Sequence, residues 1–374
     1  MPGACCGRHG GLGSLGTAVG HSGHIPRKGR VVKAVVNTAD GEGKIKLLDV
    51  DRPELGPDQV EIEIKRTAIC GTDIQIWHGL HRTRPPVILG HETCGVVSRV
   101  GQDVQGWEPG TRVTLETAAE VDGTCLYCRM GNYQLCVNRT GLGTKRNGAF
   151  AKYCVVRPEI LHLLPDNVSF KAGALSNPVS IALRAVSTMS VVHAGDVALV
   201  SGCGGVGLLV LQIAKAEGAT VVVLGLSRDK DRLAVALELG ADYAVNIEEQ
   251  NPDDVVKSLT GGYGADVVYE CAGAPESVDQ CLRLVRKCGQ YVQVGIFGKP
   301  ISCNYGQIAH KELIVRGSYG HDGLAMDRAN RLLSLGLVNT ERLVTHEFPL
   351  SEWRKGFETM ESGEGLRILL YPDE

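Results

Sequence analysis

The sequence predicts an α/β protein in two parts, a partly closed β-barrel followed by a doubly wound parallel sheet. Three observations carry this prediction. Short strands divided by Gly, Pro and Asp turns fill the first half of the chain, and strands alternate with apolar helices from Asp196 onward. Between the first strand and first helix of that alternation stands a glycine run, Gly202-Cys203-Gly204-Gly205-Val206-Gly207. At 374 residues the chain also exceeds one ordinary core, so two domains are expected.

Composition narrows the function classes. A hydrophobic content of 43% without any apolar run near the roughly 20 residues of a membrane span describes a soluble globular protein. The net charge of −3 comes without a large basic field, which argues against nucleic acid and anionic membrane as partners. Thirteen cysteines, an odd number in a chain with no secretory signal, argue for a reducing, cytoplasmic setting rather than a disulfide scaffold.

Residues 1–30 are rich in Gly and His, lack acids and show no periodicity, so they read as a disordered extension. A transit peptide or a misassigned start are the other readings of this stretch. From Val31 the predicted strands are Val31–Val36, Lys44–Val50, Val60–Ala68 and Val96–Val100, continuing through 104–113 and 148–156.

Two potential metal sites lie within this half. The first combines Ala68-Ile69-Cys70-Gly71-Thr72-Asp73 with Gly90-His91-Glu92-Thr93-Cys94-Gly95. Thiolate, imidazole and carboxylate from Cys70, His91 and Glu92 form a donor set that a tetrahedral zinc prefers. Adjacent residues project oppositely from a regular strand, so His91 and Glu92 reach one ion only if the chain bends, which Gly90 and Gly95 permit. The plain alternative is a buried cysteine beside an unrelated His-Glu pair. The second site is Asp122-Gly123-Thr124-Cys125-Leu126-Tyr127-Cys128, followed by Cys136, whose spacing suggests a zinc-clamped lobe. Three cysteines need a fourth ligand, and Asp122 is in place to supply an oxygen. The alternative is a lobe that has lost its metal.

In the second half the prediction runs Val197–Val200, helix Val206–Glu217, Thr220–Leu224, helix Asp229–Leu239, Ala265–Glu270, helix Glu276–Arg286 and Gln290–Gly295. The glycine run is therefore in the strand–turn–helix context that makes a G-x-G-x-x-G specific for a dinucleotide. Gly202 makes the turn, Gly204 and Gly205 admit a pyrophosphate to the helix N-terminus beside Val206, and Gly207 allows close helix–strand packing. About twenty residues on, where an acid would bind the ribose, stands Gly225. Ser227 and Arg228 follow it and suit a 2′-phosphate, which favours NADP over NAD. Asp229 and Asp231 lie too far into the next helix to replace the missing acid. Two helices, Asp327–Leu335 and Ser351–Glu361, and a strand Leu366–Tyr371 complete the prediction and should rejoin the first domain.

From about Val31 to its end the chain resembles the zinc-containing medium-chain alcohol dehydrogenases, nearest to their polyol (sorbitol or L-iditol 2-) dehydrogenase branch. The motifs that carry the resemblance are Cys70-Gly71-Thr72-Asp73, Gly90-His91-Glu92, the Cys125/Cys128/Cys136 lobe, Gly202–Gly207, and the tail from Leu343-Val344-Thr345-His346 to Gly363-Glu364-Gly365-Leu366. The resemblance implies a GroES-like β-barrel catalytic domain at 31–185, a Rossmann cofactor domain at 186–325, a return to the catalytic domain at 326–374, and a homo-oligomer, dimer or tetramer. It implies a catalytic zinc and a structural one, and oxidation of a secondary alcohol with hydride transfer to NAD(P). Thr72 would relay the proton.

Four departures from the family pattern stand out. Asn177-Pro178 replaces Glu-Pro, leaving an amide where an anion near the zinc is usual. Gln75 stands where relatives often have a relay histidine, and His78 or His81 are the possible substitutes. Asp122 replaces the first thiolate of the lobe. Gly320-His321 follows Gly317-Ser318-Tyr319 where animal sorbitol dehydrogenases show Arg-Tyr, removing a polar grip and arguing against sorbitol itself. A threonine dehydrogenase shares the zinc motifs and is the enzyme alternative. A relative that senses NADP(H) through a relic zinc site is the non-enzyme one.

Overall fold

The computed structural model describes residues 31–373, so the predicted extension at 1–30 lies outside the described residues. Four sheets organise the rest. Strands Val197–Ser201, Thr220–Gly225, Tyr243–Asn246, Ala265–Glu270, Val285–Gln293 and Ile314–Gly317 form one six-stranded parallel sheet. Val197–Ser201 lies inside it, flanked by Thr220–Gly225 and Ala265–Glu270, so the strand order reverses beside the glycine run. The interior strands are continuous apolar runs because helices cover both faces; all of Val197–Ser201 is buried.

The other half is antiparallel. Strand Val60–Ala68 pairs with Glu92–Val100, with Tyr153–Val156 and with Arg367–Tyr371, at the middle of a seven-stranded sheet. Val31–Asn37 pairs with Ile45–Asp51 and Val87–Ile88 in a separate three-stranded sheet. Val344–Pro349 and Arg367–Tyr371 run parallel to each other, and Leu369 and Leu370 pair with Ala68 and Thr67. The chain's last residues thus reach back to its first half, across more than two hundred and ninety residues of sequence, to flank the segment that ends at Cys70.

Several elements depart from the sequence reading. Helix Pro275–Leu284 stops two residues early, because Val285 pairs with Ala265 before the chain bulges through Cys288, at φ 55°. Helix Pro252–Thr260 is an additional element with local signals of its own: Asn251 Oδ1 accepts from Asp253 N–H at 3.1 Å, Pro252 opens the helix, and Gly261 closes it at φ 61°. Strand Tyr243–Asn246 gives little apolar signal, since Val245 is the one fully buried residue in it. Helix Ser176–Leu183, which carries Asn177, is a further additional element.

Candidate active site

Cys70 follows strand Val60–Ala68 and caps helix Gly71–Trp77. Its N–H donates to Asp73 Oδ2 at 2.9 Å, so a local cap fixes the backbone that carries the thiol. His91 arrives by a sharp bend. Gly90 has φ 89°, and a Cβ there would lie 2.3 Å from the Phe150 ring, so both conformation and space demand glycine. Gly95 serves otherwise than expected. It lies within strand Glu92–Val100, where a Cβ would stand 2.3 Å from Glu63 O, and it permits close strand approach rather than the bend.

The donor atoms of Cys70, His91 and Glu92 lie within 4.8 Å of one another. His91 Nδ1 is buried without a hydrogen-bond partner and stands 3.9 Å from Asp73 Oδ1. Burial disfavours a charged imidazole, but Cys70 and Asp73 outweigh it and raise the His91 pKa to about 10. Burial likewise lifts Asp73 to about 6, against the pull of His91. Thiol, imidazole and carboxylate converge here, and that donor set fits zinc. Thr72 Oγ1 is 3.9 Å from Cys70 Sγ. Asn177 is 2% exposed; its Nδ2 reaches His91 O at 3.4 Å, and its Oδ1 has no partner.

Glu92 is shared with a residue that sequence reasoning missed. Arg367 Nη1 lies 3.2 Å from Glu92 Oε2, with both side chains almost wholly buried. The same guanidinium explains part of the glycine run, because a Cβ on Gly205 would fall 2.3 Å from Arg367 Nε. No local pattern around Arg367 announces this role. Asp73, by contrast, was visible as an acid three residues after the capping Cys70.

The remaining glycines divide by function. Gly202 has φ 102°, and Gly207 passes so close that its Cβ would fall 1.9 Å from Gly202 O. Gly204 has nothing within 4 Å of such a Cβ, and it caps helix Gly205–Ala216 with its face open. Those are the conditions under which a pyrophosphate can approach the helix N-terminus.

The ribose end differs from the reading of an acid-free pocket. Glu248 enters it from beyond strand Tyr243–Asn246, and its Oε2 accepts Ser227 N–H at 2.7 Å. Hydrogen bonds from Ser227, with Arg228 nearby, hold the Glu248 pKa below the usual carboxylate range. Ser227 Oγ also accepts from Asn246 Nδ2 at 3.0 Å. Arg228 is exposed and, among the described residues, forms no ion pair within 4.0 Å. Gly225 is crowded: a Cβ would meet Cys203 Sγ at 2.8 Å.

In the lobe, ligand atoms of Asp122, Cys125, Cys128 and Cys136 also lie within 4.8 Å of one another. Asp122 Oδ1 accepts the N–H groups of Thr124 and Cys125 at 3.0 and 2.9 Å, and Oδ2 accepts from Asn138 at 2.9 Å. The first two bonds keep this carboxyl ionised far below its ordinary range. The N–H groups of Cys128 and Val137 lower the Cys125 pKa in the same way. An anionic carboxylate beside three thiols is a chemically sound zinc set.

A cavity of about 390 Å³ joins the halves. Cys70, Thr72, His91, Glu92 and Asn177 line one side, and Val206, Cys271 and Val294 line another near the carboxyl ends of the parallel strands. Ligands in open α/β sheets bind at that end. His81 stands on the cavity wall, whereas His78 is turned to Glu361 at 2.5 Å and Gln75 is exposed outside it. No described helix is long and apolar enough to cross a membrane.

Comparison with known proteins agrees with this arrangement. Residues 56–166 match the alcohol dehydrogenase GroES-like domain, and residues 205–335 match the zinc-binding dehydrogenase family. A sorbitol dehydrogenase of Halalkalibacterium halodurans is 42% identical over 342 residues, covering 91% of this chain and 99% of the relative. A D-arabitol-phosphate dehydrogenase of Enterococcus avium is 37% identical, covering 91% and 97%. Among solved structures, a zinc-binding dehydrogenase of Sinorhizobium meliloti bound to NADP superposes with a TM-score of 0.84 at 30% identity, covering 91% and 99%. A GroES-like half and a Rossmann half, joined at a zinc-type donor set, are thus shared over nearly the whole described chain, and the protein belongs to the zinc-containing medium-chain alcohol dehydrogenases, in their polyol-dehydrogenase-like branch.

Proposed function

We propose that this chain oxidises a secondary alcohol of polyol type to the ketone, or the reverse, with zinc and NADP. The observation that carries the reading is the shared cavity, where the Cys70–His91–Glu92 donors and the dinucleotide end of the parallel sheet face one space. When bound, zinc supplies a Lewis acid for the substrate oxygen and the nicotinamide supplies the hydride acceptor. Cys70 and His91 would hold the metal, while Arg367 orients Glu92. The Thr72 hydroxyl, beside Cys70, accepts the alcohol proton as it gives up its own, and His81 at the cavity wall takes up that released proton and returns it to solvent. Asn177 Oδ1, free and buried, accepts a hydrogen bond from the substrate. Val206, Cys271 and Val294 give the cofactor side an apolar lining that excludes water once the dinucleotide is bound.

The NADP preference rests on Gly225, which presents no carboxylate, and on the unpaired Arg228. Glu248 opposes it and would have to turn from Ser227. Arg228→Ala should lower kcat/KM for NADP roughly ten- to a hundred-fold and barely change that for NAD. Glu248→Gln should favour NADP further. Gly225→Asp should shift preference to NAD only when Cys203 is cut back to Ala, because the sulfur fills the space. A wild type that prefers NAD would overturn the cofactor assignment. Steady-state assays with polyols, threonine and simple secondary alcohols test the reaction. Threonine as the best substrate, or no turnover of any alcohol, would overturn it.

The setting we propose is the cytoplasm, since all eleven described cysteines are free thiols. A homo-oligomer is supported by strand Ile314–Gly317, an exposed sheet edge that carries Ile314 at 49% and Val315 at 42% exposure.

A further inference from the structure

We infer that the cavity wall away from the zinc donors is an anion subsite, and that the substrate is a polyol with a terminal phosphate or carboxylate. The inference rests on the alcohol-dehydrogenase reading above. Arg139 carries it. This half-buried residue lines the cavity, where one of its terminal nitrogens donates to Thr117 Oγ1 at 2.9 Å. Its Nε is buried and has no partner, and among the described residues no carboxylate lies within 4.0 Å of the guanidinium. The other buried arginines nearby are neutralised: Arg367 by Glu92 at 3.2 Å and Arg184 by Asp322 at 3.2 Å. Among the described residues Glu92 is the only carboxylate lining the cavity, and it is engaged on the zinc side. A planar guanidinium with no carboxylate at ion-pair distance is a receptor for a phosphate or carboxylate.

Three buried polar atoms on the same cavity wall also lack partners. They are His321 Nε2, Gln134 Oε1 and Ser318 Oγ, on residues 3%, 4% and 8% exposed. Buried polar groups left bare cost stability, so their convergence points to a ligand that satisfies them. His321 Nδ1 is 3.3 Å from Asp322 O, which orients the ring of this cavity-lining residue and leaves Nε2 without a partner. Burial keeps this imidazole neutral, able to bond a hydroxyl without adding charge. The polar grip expected to be lost at Gly320-His321 is therefore rebuilt by His321 itself. Hydroxyls along a polyol would meet these three atoms, and its charged end would meet Arg139.

The test compares kcat/KM for a free pentitol, its terminal phosphate ester and the matching aldonate in the zinc-loaded enzyme. Wild type should prefer an anionic substrate roughly ten- to a hundred-fold, and the better of the two anions identifies the group. Arg139→Gln should collapse that ratio toward one, mainly through KM, and Arg139→Lys should keep part of it. Taking the ratio within each variant separates recognition from any general loss of activity. Equal use of free and anionic polyols by wild type, or an unchanged ratio in Arg139→Gln, would overturn the subsite and leave the dehydrogenase reading standing. If no alcohol is turned over, that reading fails, and calorimetric titration of holoenzyme with the pentitol phosphate decides the subsite alone. Binding lost in Arg139→Gln would support it, and no binding to wild type would overturn it.

Discussion

The two metal-type clusters are built in opposite ways. The lobe cluster comes from one short stretch, Asp122 to Cys136, whose small helices bury almost nothing. The cavity cluster gathers Cys70, His91 and Glu92 from separate segments and depends on Arg367 from the last strand. The first closes four donors around a loop with no core of its own, as a structural clamp does. The second presents three donors to open space, as a catalytic site must. On the function proposed above, the self-contained set serves stability and the dispersed set serves the chemistry.

The sharpest way to break this contrast is at Cys70. Cys70→Ser should remove one zinc per chain and lower turnover by at least the roughly ten- to hundredfold lost on deleting a residue that merely orients a ligand. Metal analysis beside steady-state kinetics checks it; full zinc content in the mutant would remove Cys70 from the donor set. The next largest effect concerns Arg367. Arg367→Met leaves the Glu92 carboxylate buried without its partner and should cost about 3 kcal/mol of stability, read by denaturant unfolding. Adding Glu92→Gln should recover most of that loss. If the double variant also sheds zinc, Glu92 is a ligand rather than a partner of Arg367 alone. The smallest effect belongs to the lobe. Asp122→Cys should slow zinc loss to a chelator, because a thiolate suits zinc better than the carboxylate it replaces, and turnover should stay unchanged. Identical chelation curves would show that Asp122 serves only as the turn acceptor for Thr124 and Cys125.

Legibility followed sequence distance. The strands and helices around the glycine run, the Asp122–Cys136 lobe and the Cys70 motif declare themselves through local spacing, because turn, cap and ligand geometry act over a few residues. Gly225 shows the limit of such reading. Its lack of a side chain was visible, but the Cys203 sulfur beside it and the Glu248 carboxylate on Ser227 were not. Both come from other loops of the sheet, and only strand order brings them together.

By itself, the sequence determined the two-part α/β architecture, the donor types at Cys70, His91 and Glu92, and the dinucleotide turn at Gly202–Gly207. Hydrophobic periodicity and glycine chemistry are local properties and need no neighbours to be read. Tertiary structure alone decided that Arg367 crosses Gly205 to hold Glu92, that His81 rather than His78 reaches the cavity, and that Arg139 lines it without a carboxylate partner among the described residues. Those outcomes depend on which distant segments the sheets bring side by side. A charge's partner is set by that packing, and no local pattern encodes it.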